Sequence, residues 1–106
     1  MYTVEITAAL REGIAEKPPR LIRKLFLLLD VLKLHGEKLD RLILCDEIAD
    51  GISVYSVSIH SYPGQKIRLF IDTNTSEVHI VGLGAHRPTC ERAIEESLQY
   101  LGIQDE

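Results

Sequence analysis

Three consecutive segments in the second half of the chain alternate apolar and polar residues with a period of two. They are ISVYSVSIH (52–60), KIRLFID (66–72) and EVHIVGL (77–83), and short polar or Pro-Gly segments separate them. Successive side chains of a strand point to opposite faces, so this period is typical of strands with one buried face. Short turn-rich loops join antiparallel neighbours. The three segments therefore predict an antiparallel meander.

The first half of the chain predicts one strand and two helices. YTVEIT (2–7) shows the same period of two, and AALREGIAEK (8–17) is rich in helix formers. Pro18 and Pro19 end the first helix and suit the first turn of a second one over residues 19–34. The second helix carries an apolar arc wide enough to lie against a sheet. The arc consists of Leu21, Ile22, Leu25, Phe26, Leu28, Leu29 and Leu32.

A last helix is predicted to open at Pro88 or Thr89 and to end at Gly102. Its apolar stripe consists of Cys90, Ile94, Leu98 and Leu101. Residues 42–48 give mixed signals and receive no assignment. The order of elements predicts an α+β fold with an N-terminal strand, a two-helix hairpin, a three-stranded antiparallel meander and a C-terminal helix. We expect the sheet to be covered on one face, within a single domain over residues 1–106.

Length and composition fit one soluble domain. A chain of 106 residues with 45% hydrophobic and 26% charged residues can form one modest core. Its longest apolar run, residues 25–29, is far too short to span a membrane, and the first residues lack the pattern of a signal peptide. We expect a cytoplasmic protein. Cys45 and Cys90 have no close Cys or His, so we expect two reduced thiols that serve in packing.

The charge of the chain is unevenly distributed. The formal net charge is −4, yet residues 11–41 hold eight Lys or Arg against five acids, a local charge of +3. Residues 88–106 hold one Arg against five acids, and DEIAD (46–50) adds a charge of −3. The chain thus has a basic middle and an acidic tail. Nucleic-acid binders usually show a stronger positive excess.

Pairing the predicted strands collects polar side chains on one face of the sheet. If His60 lies opposite Lys66, Ser58 faces Arg68 and Ser56 faces Phe70. A tight turn at Asn74 would place His79 beside Phe70 and Val81 beside Arg68. The face then gathers Ser56, Ser58, His60, Lys66, Arg68 and His79, with His86 and Arg87 at its edge. We expect these side chains to share an exposed, shallow hollow on the polar face of the sheet.

These segments resemble the RelE/ParE toxin superfamily over nearly the whole chain. ITAALREGIAEKPPRLIRKLFLLLDVL is similar to the helical hairpin of that family, and DGISVYSVSI, KIRLFID and VHIVGLGAHR are similar to its later strands. The helix after AHRPT looks more like that of the HigB-type branch. The resemblance implies the toxin component of a toxin–antitoxin module, with a cognate antitoxin as its partner. A homodimer remains open, and no membrane partner is expected.

Two activities follow from the resemblance. Members of the RelE side cleave messenger RNA in the ribosomal A site without a metal or cofactor, whereas members of the ParE side inhibit DNA gyrase. The first reaction needs a base for the 2′-hydroxyl, fixed positive charge for the phosphorane, and an acid for the 5′ oxygen. By position, Arg68 and Arg87 match the arginines expected to hold the scissile phosphate. His60 and His86 are the candidates for base and acid, because an unperturbed imidazole titrates near neutral pH.

Further cations are candidates for contacts with RNA. Lys66 would add a point charge for the phosphate backbone, and Arg20, Arg23 and Lys24 form a basic face of the second helix. Plainer interpretations stay open for each residue. Arg68 could pair with Glu77 or Asp72, Lys66 could guard a strand edge, and the basic helix face could contact an antitoxin or only solvent. His79 is expected to be structural, and no metal site is expected.

The chain departs from the ribonuclease pattern at three positions. Ser56 and Ser58 stand where those members usually carry lysine or arginine, and Ala93 lies near the place of a tyrosine that stacks on the base. Serine cannot supply positive charge, and affinity for RNA grows with the number of phosphates neutralised. Three hypotheses therefore remain: a ribosome-dependent endoribonuclease, a ParE-like gyrase inhibitor that acts by binding, and an inactive relative that mainly binds an antitoxin.

Overall fold

The computed structural model describes residues 1–62, 64–85 and 88–102. Within these ranges the chain forms five strands and three α-helices, with one short 3-10 turn at Gly36–Lys38. The elements are, in order, β1 (Thr3–Ile6), α1 (Ala8–Ile14), α2 (Pro19–His35), β2 (Ile43–Ala49), β3 (Ile52–Ser58), β4 (Lys66–Asp72), β5 (Glu77–Gly84) and α3 (Thr89–Leu101). The predicted α+β fold and its order of elements are confirmed.

One strand, β2, occupies the segment that the sequence left unassigned. It pairs antiparallel with β3 and extends the meander to four strands, in the sheet order β1-β5-β4-β3-β2. The register of β2 shifts between Leu44 and Asp46 and again between Glu47 and Ala49. Each bulge inserts an extra residue and breaks the alternation of sides. A strand with two bulges therefore shows no readable period of two.

The sheet is mixed because β1 runs parallel to β5, with Thr3 beside Glu77 and Ile6 beside Ile80. A parallel pair needs a long crossover, which the α1–α2 hairpin and the meander together supply. The N-terminal strand is further held by α2, since the Tyr2 amide donates to the Lys33 carbonyl oxygen at 2.8 Å. Both edges of the sheet, β1 and β2, are thus strands from the first half of the chain.

Helices cover both faces of the sheet, so the prediction of one covered face is wrong. The larger core lies under α1 and α2 and consists of Ile14, Leu21, Leu25, Leu28, Leu29, Leu32, Val57, Ile59, Ile67, Leu69, Ile71, Val78, Ile80 and Leu83. The smaller core lies under α3 and consists of Val54, Phe70, Val81 and Ala93. Helix α3 can approach the sheet closely because its two fully buried residues, Ala93 and Ser97, are small.

The two cysteines form a disulfide, which overturns the prediction of reduced thiols. Cys45 lies in β2 and Cys90 lies in the first turn of α3, and their Cα atoms are 5.2 Å apart. Sequence spacing could not reveal this pair because the two residues are 45 positions apart and β2 had no assignment. The bridge fastens α3 to the edge strand of the sheet.

The strand register confirms part of the predicted pairing. Phe70 lies beside His79, as expected. In the β3–β4 hairpin, however, Ser58 lies opposite Lys66 and Ser56 opposite Arg68. The loop closes with an inner turn, in which the Ile59 amide donates to the Gln65 carbonyl oxygen at 3.1 Å. His60 is therefore outside the ladder, and the predicted register was shifted by two residues without changing faces.

No helix within the described ranges is long and apolar enough to cross a membrane.

Candidate functional site

Arg68 lies at the centre of the face that α3 covers. Its side chain is 2% exposed, and its guanidinium pairs with the carboxylate of Glu96 in α3. Nε lies 2.5 Å from Oε1 and Nη2 lies 3.3 Å from Oε2, so the pair is bidentate. Arginine grips carboxylate and phosphate groups with the same two-pronged geometry. The Glu96 carboxylate therefore occupies the position where a phosphate could bind.

Gly82 makes room for the Arg68 guanidinium. The strands β4 and β5 change register between Arg68 and Leu69, so that Gly82, not Val81, lies opposite Arg68. A Cβ atom at residue 82 would lie 2.5 Å from Nη2 of Arg68. Only glycine leaves that space open, because a real Cβ does not approach another heavy atom so closely. The bulge and the glycine together lay the arginine side chain flat on the sheet.

The guanidinium is not fully satisfied in this arrangement. Nη1 of Arg68 is buried and has no hydrogen-bond partner among the residues that the structure describes. Buried polar groups are normally paired, and an unpaired buried donor lowers stability. Ser56, the neighbour on β3, is likewise buried. Arg68 thus keeps one donor edge free within the described part of the molecule.

The burial of Arg68 corrects the picture of an exposed polar face. Ser56, Arg68 and His79 are all buried, whereas Ser58 at the end of β3 is exposed. Neither of the two ion-pair partners suggested for Arg68 is the one observed. Asp72 and Glu77 lie opposite each other in the β4–β5 register, and Arg68 pairs with Glu96. The reason is α3, whose docking replaces solvent over the middle of the sheet.

His79 belongs to an aromatic cluster on the same face. Its ring stacks on Phe70 with a centroid distance of 4.7 Å, and Tyr100 of α3 lies 5.2 Å from His79. Carboxylate oxygens of Glu5 and Glu77 each lie 3.7 Å from one of its ring nitrogens. The two acids would repel a phosphate, so this cluster holds the end of α3 and is not suited to binding RNA backbone.

His60 lies on the other side of the sheet from Arg68. It lines a groove of about 370 Å³ beside α2, together with Lys24, Leu27, Leu28, Val31 and Arg41. Leu27 is 65% exposed, which is high for an apolar residue at the centre of a helix. The groove therefore combines an apolar floor with three basic groups at its rim. The sheet separates this groove from the guanidinium of Arg68.

The remaining candidates do not gather around one point. Arg20 and Arg23 are exposed on α2, on the same side as the groove. Lys66 is half-buried at the start of β4, between Ser58 and Gly84. His86 and Arg87 lie outside the described residues. The described candidates thus divide into Arg68 and Lys66 on β4 and the basic groups around α2.

Sequence analysis missed Glu96 and the disulfide, which both act on the Arg68 face. Glu96 sits one position before the buried Ser97 and three after the buried Ala93, at the border of the contact stripe of α3. An acid at such a border, facing a strand with an unexplained arginine, was the available signal. The predicted stripe was built from residues four positions apart. Because an α-helix has 3.6 residues per turn, such a stripe rotates around the helix and misses residue 96.

No metal site is visible in the described residues, where no group of three or more His, Cys, Asp or Glu could hold an ion.

Comparison with known proteins gives a structural match. No protein-family model matches the chain, and no curated protein matches its sequence. Among solved structures, the chain is similar to one in the archaeal RelE–RelB complex from Pyrococcus horikoshii OT3. The TM-score is 0.67 at 16% sequence identity, and the match covers 81% of this chain and 97% of that chain. The resemblance seen in the sequence is thereby confirmed at the level of the fold, and the chain has the RelE-like fold.

Proposed function

We propose that this chain is the toxin component of a toxin–antitoxin module and that it cleaves messenger RNA on the ribosome without a metal. The fold match carries the proposal, because it extends over nearly all of the solved chain from a RelE–RelB complex. Arg68 supports it, since a bidentate guanidinium on the sheet suits a phosphate that gains charge in the transition state.

The proposed roles combine the positions of the described residues with the sequence-based expectations for His86 and Arg87. Arg68 would hold the scissile phosphate, and Lys66, on the same strand and the same face, would attract the neighbouring backbone. Arg87 and His86 keep the roles that the sequence suggests, as second phosphate ligand and as acid or base. His60 is removed from the catalytic set, because it faces the groove beside α2.

Expression with primer extension tests the activity. The chain is produced from a tight inducible promoter, and the 5′ ends of translated and untranslated versions of one message are mapped. We expect growth arrest and new 5′ ends inside the translated message only. Arrest without new ends would reject RNA cleavage. In that case unchanged gyrase supercoiling in the presence of the purified protein would also reject the ParE-like alternative.

Binding of an antitoxin is the second proposed role, and the groove beside α2 favours it. Amphipathic helices bind proteins by placing an apolar face in a hydrophobic groove. Here Leu27, Leu28 and Val31 supply the floor, while Lys24 and Arg41 would pair with acids on the partner. We therefore propose that an acidic amphipathic segment of the antitoxin occupies this groove.

A pair of matched variants tests the groove. Leu27→Glu places a charge on the floor, and Leu34→Glu makes the same change on the same helix at a residue of equal exposure, 64% against 65%, that does not line the groove. The product of the open reading frame adjacent to the gene is co-expressed and co-purified with each. We expect L27E to lose the partner and L34E to retain it. Equal retention would place the antitoxin elsewhere.

A further inference from the structure

Helix α3 is fastened over Arg68 at three levels. The disulfide from Cys90 to Cys45 holds its first turn, the ion pair from Glu96 to Arg68 holds its middle, and Tyr100 contacts Phe70 and His79 near its end. Only the first of these contacts is covalent. The disulfide thus anchors the N-terminal end of α3.

The apolar packing beneath α3 is thin. Among the described residues, four buried hydrophobic side chains form the core under α3, against fourteen in the core under α1 and α2. Stability in a folded protein varies locally, and elements with little buried apolar surface open at lower free energy. The cross-link therefore adds a covalent restraint to a helix that rests on this small core.

The ion pair under α3 is also poorly suited to hold the helix alone. Arg68 is 2% exposed and Glu96 is 22% exposed, so most of the desolvation falls on the guanidinium. One of its nitrogens lacks a partner among the described residues. Buried pairs with incomplete hydrogen bonding contribute little net stability. An anion with more oxygen atoms than a carboxylate can satisfy this guanidinium better.

We propose that the Cys45–Cys90 disulfide is a redox latch, which keeps α3 closed over Arg68 and whose reduction exposes Arg68 to RNA phosphate. A dithiol reductant supplies two electrons and two protons: the S–S bond breaks, two cysteine thiols form, and the reductant becomes a disulfide. Both cysteines are half-exposed, so a small dithiol can reach them. Glu96 then leaves with α3, and the two guanidinium nitrogens that it held, Nε and Nη2 of Arg68, donate hydrogen bonds to phosphate oxygens instead.

This inference concerns the state of α3 and rests on the proposed function only for the identity of the anion. In reducing cellular compartments, disulfides are usually transient and often sense redox state. In the oxidised toxin α3 would cover Arg68, and in the reduced toxin Arg68 would be exposed. The redox state of the disulfide would therefore decide whether Arg68 can bind phosphate. The direction is fixed by geometry, since the cross-link holds the covering helix down.

Hydrogen exchange tests the latch without any assumption about activity. The amides of α3 are compared in the oxidised and dithiothreitol-reduced protein, with the Cys45→Ser/Cys90→Ser variant as a reductant-independent open form. We expect the exchange rate of the α3 amides to rise roughly tenfold or more on reduction. A tenfold rise corresponds to a decrease of about 1.4 kcal/mol in the free energy of opening. Amides of the large-core strands exchange through global unfolding, so they report the general loss of stability. The local opening of α3 is measured on those of its amides that exchange faster than this global limit. Equal protection of α3 in both forms, or two free thiols in the oxidised protein by alkylation, would overturn the latch.

Fluorescence anisotropy with a short single-stranded RNA tests the exposure of Arg68. We expect the reduced protein and the double serine variant to bind this probe roughly tenfold more tightly than the oxidised protein. Arg68→Ala should abolish that difference, whereas Arg92→Ala, which removes an exposed arginine from α3, should preserve it. If α3 opens but binding does not change, the exposure of an RNA-phosphate site is rejected. That result leaves messenger cleavage to be decided separately by the primer-extension experiment.

Discussion

At the scale of single residues, the molecule is organised around one buried arginine. Arg68 lies on a sheet position cleared by Gly82 and is neutralised by Glu96. Their exposures differ, because Glu96 can still reach solvent whereas Arg68 cannot. Removing the Glu96 carboxylate would leave the Arg68 guanidinium buried without a counter-charge. Removing the arginine would leave a carboxylate that water can still hydrate.

This asymmetry predicts unequal costs for the two partners. We expect Glu96→Ala to lower the free energy of unfolding by about 3 kcal/mol, since it leaves a buried charge without compensation. Arg68→Met, which keeps an unbranched side chain in the same space, should cost clearly less. Urea unfolding measures both. Glu95→Ala, at an exposed position of the same helix, should remain within about 0.5 kcal/mol of the parent. Equal losses for E96A and R68M would show that the buried charge does not dominate.

The space at Gly82 gives a second prediction at this scale. A methyl group there would collide with the guanidinium, so Gly82→Ala should destabilise the protein by about 2 kcal/mol through overpacking. Gly13→Ala in α1 is the matched control, because a Cβ atom there meets nothing within 4 Å. Alanine is a better helix former than glycine by up to about 1 kcal/mol, so G13A should be neutral or stabilising. Thermal unfolding compares the two, and a stable G82A would contradict the packing of Arg68.

At the scale of elements, the edge strand β2 combines exposed apolar and acidic side chains. Ile43 and Leu44 are 52% and 60% exposed, while Asp46 and Glu47 are exposed beside them. An exposed strand edge can pair with another chain, and charges and bulges are common protections against such pairing. We therefore expect the two register shifts of β2 and its acids to disfavour pairing of this edge with a second copy of the chain.

Neutralising this edge should promote self-association. We expect the double variant Asp46→Thr/Glu47→Thr to form larger species in light scattering at concentrations where the parent does not. Glu12→Thr/Glu16→Thr makes the same change in net charge at exposed positions around α1 and should behave like the parent. If both double variants associate equally, net charge rather than the strand edge is responsible.

Some of the helices and strands could be predicted from the sequence and others could not. The strands β3, β4 and β5 were predicted because their alternation is regular and one face is strongly apolar. The buried face of α2 was predicted by the same reasoning, except that Phe26 is 48% exposed. Strand β2 could not be assigned because its bulges break the period. Helix α2 ends at His35, one residue beyond the predicted range, where Gly36 with its φ of 53° terminates it.

The candidate site was predicted less well than the fold. Periodicity places Arg68 on the correct face, but it cannot say whether a helix covers that face. The covering depended on long-range contacts, namely Glu96 and the disulfide, which no local pattern encodes. His60 does not lie near Arg68 as predicted, because it belongs to the loop after β3. The conformation of that loop, and not strand alternation, determines which way its side chain points. The histidine and arginine at positions 86 and 87 stay sequence-based predictions.

At the scale of the whole molecule, the chain has two cores of unequal size, and a covalent bridge from β2 to α3 closes the smaller one. The bridge closes a loop over a sequence separation of 45 residues. Closing a loop of that length restricts the unfolded chain and stabilises the folded state by about 4 kcal/mol in the chain-entropy account. For a small domain that is a large share of the total stability.

Removal of the bridge should therefore be visible in global unfolding. We expect Cys45→Ser/Cys90→Ser to lose about 4 kcal/mol in urea unfolding under oxidising conditions. Reductant should lower the stability of the parent toward that of the variant and should leave the variant unchanged. A parent that is insensitive to reductant would indicate that the bridge contributes little to the folded state.

The parallel pairing of β1 with β5 has a consequence for biosynthesis. Strand β1 takes its place beside β5, which is translated much later, with Thr3 next to Glu77. A nascent chain can form its helical hairpin early, yet its sheet cannot close at the β1 edge until β5 has been translated. Contacts between such distant segments slow folding. The closed sheet thus forms only after β5 has left the ribosome.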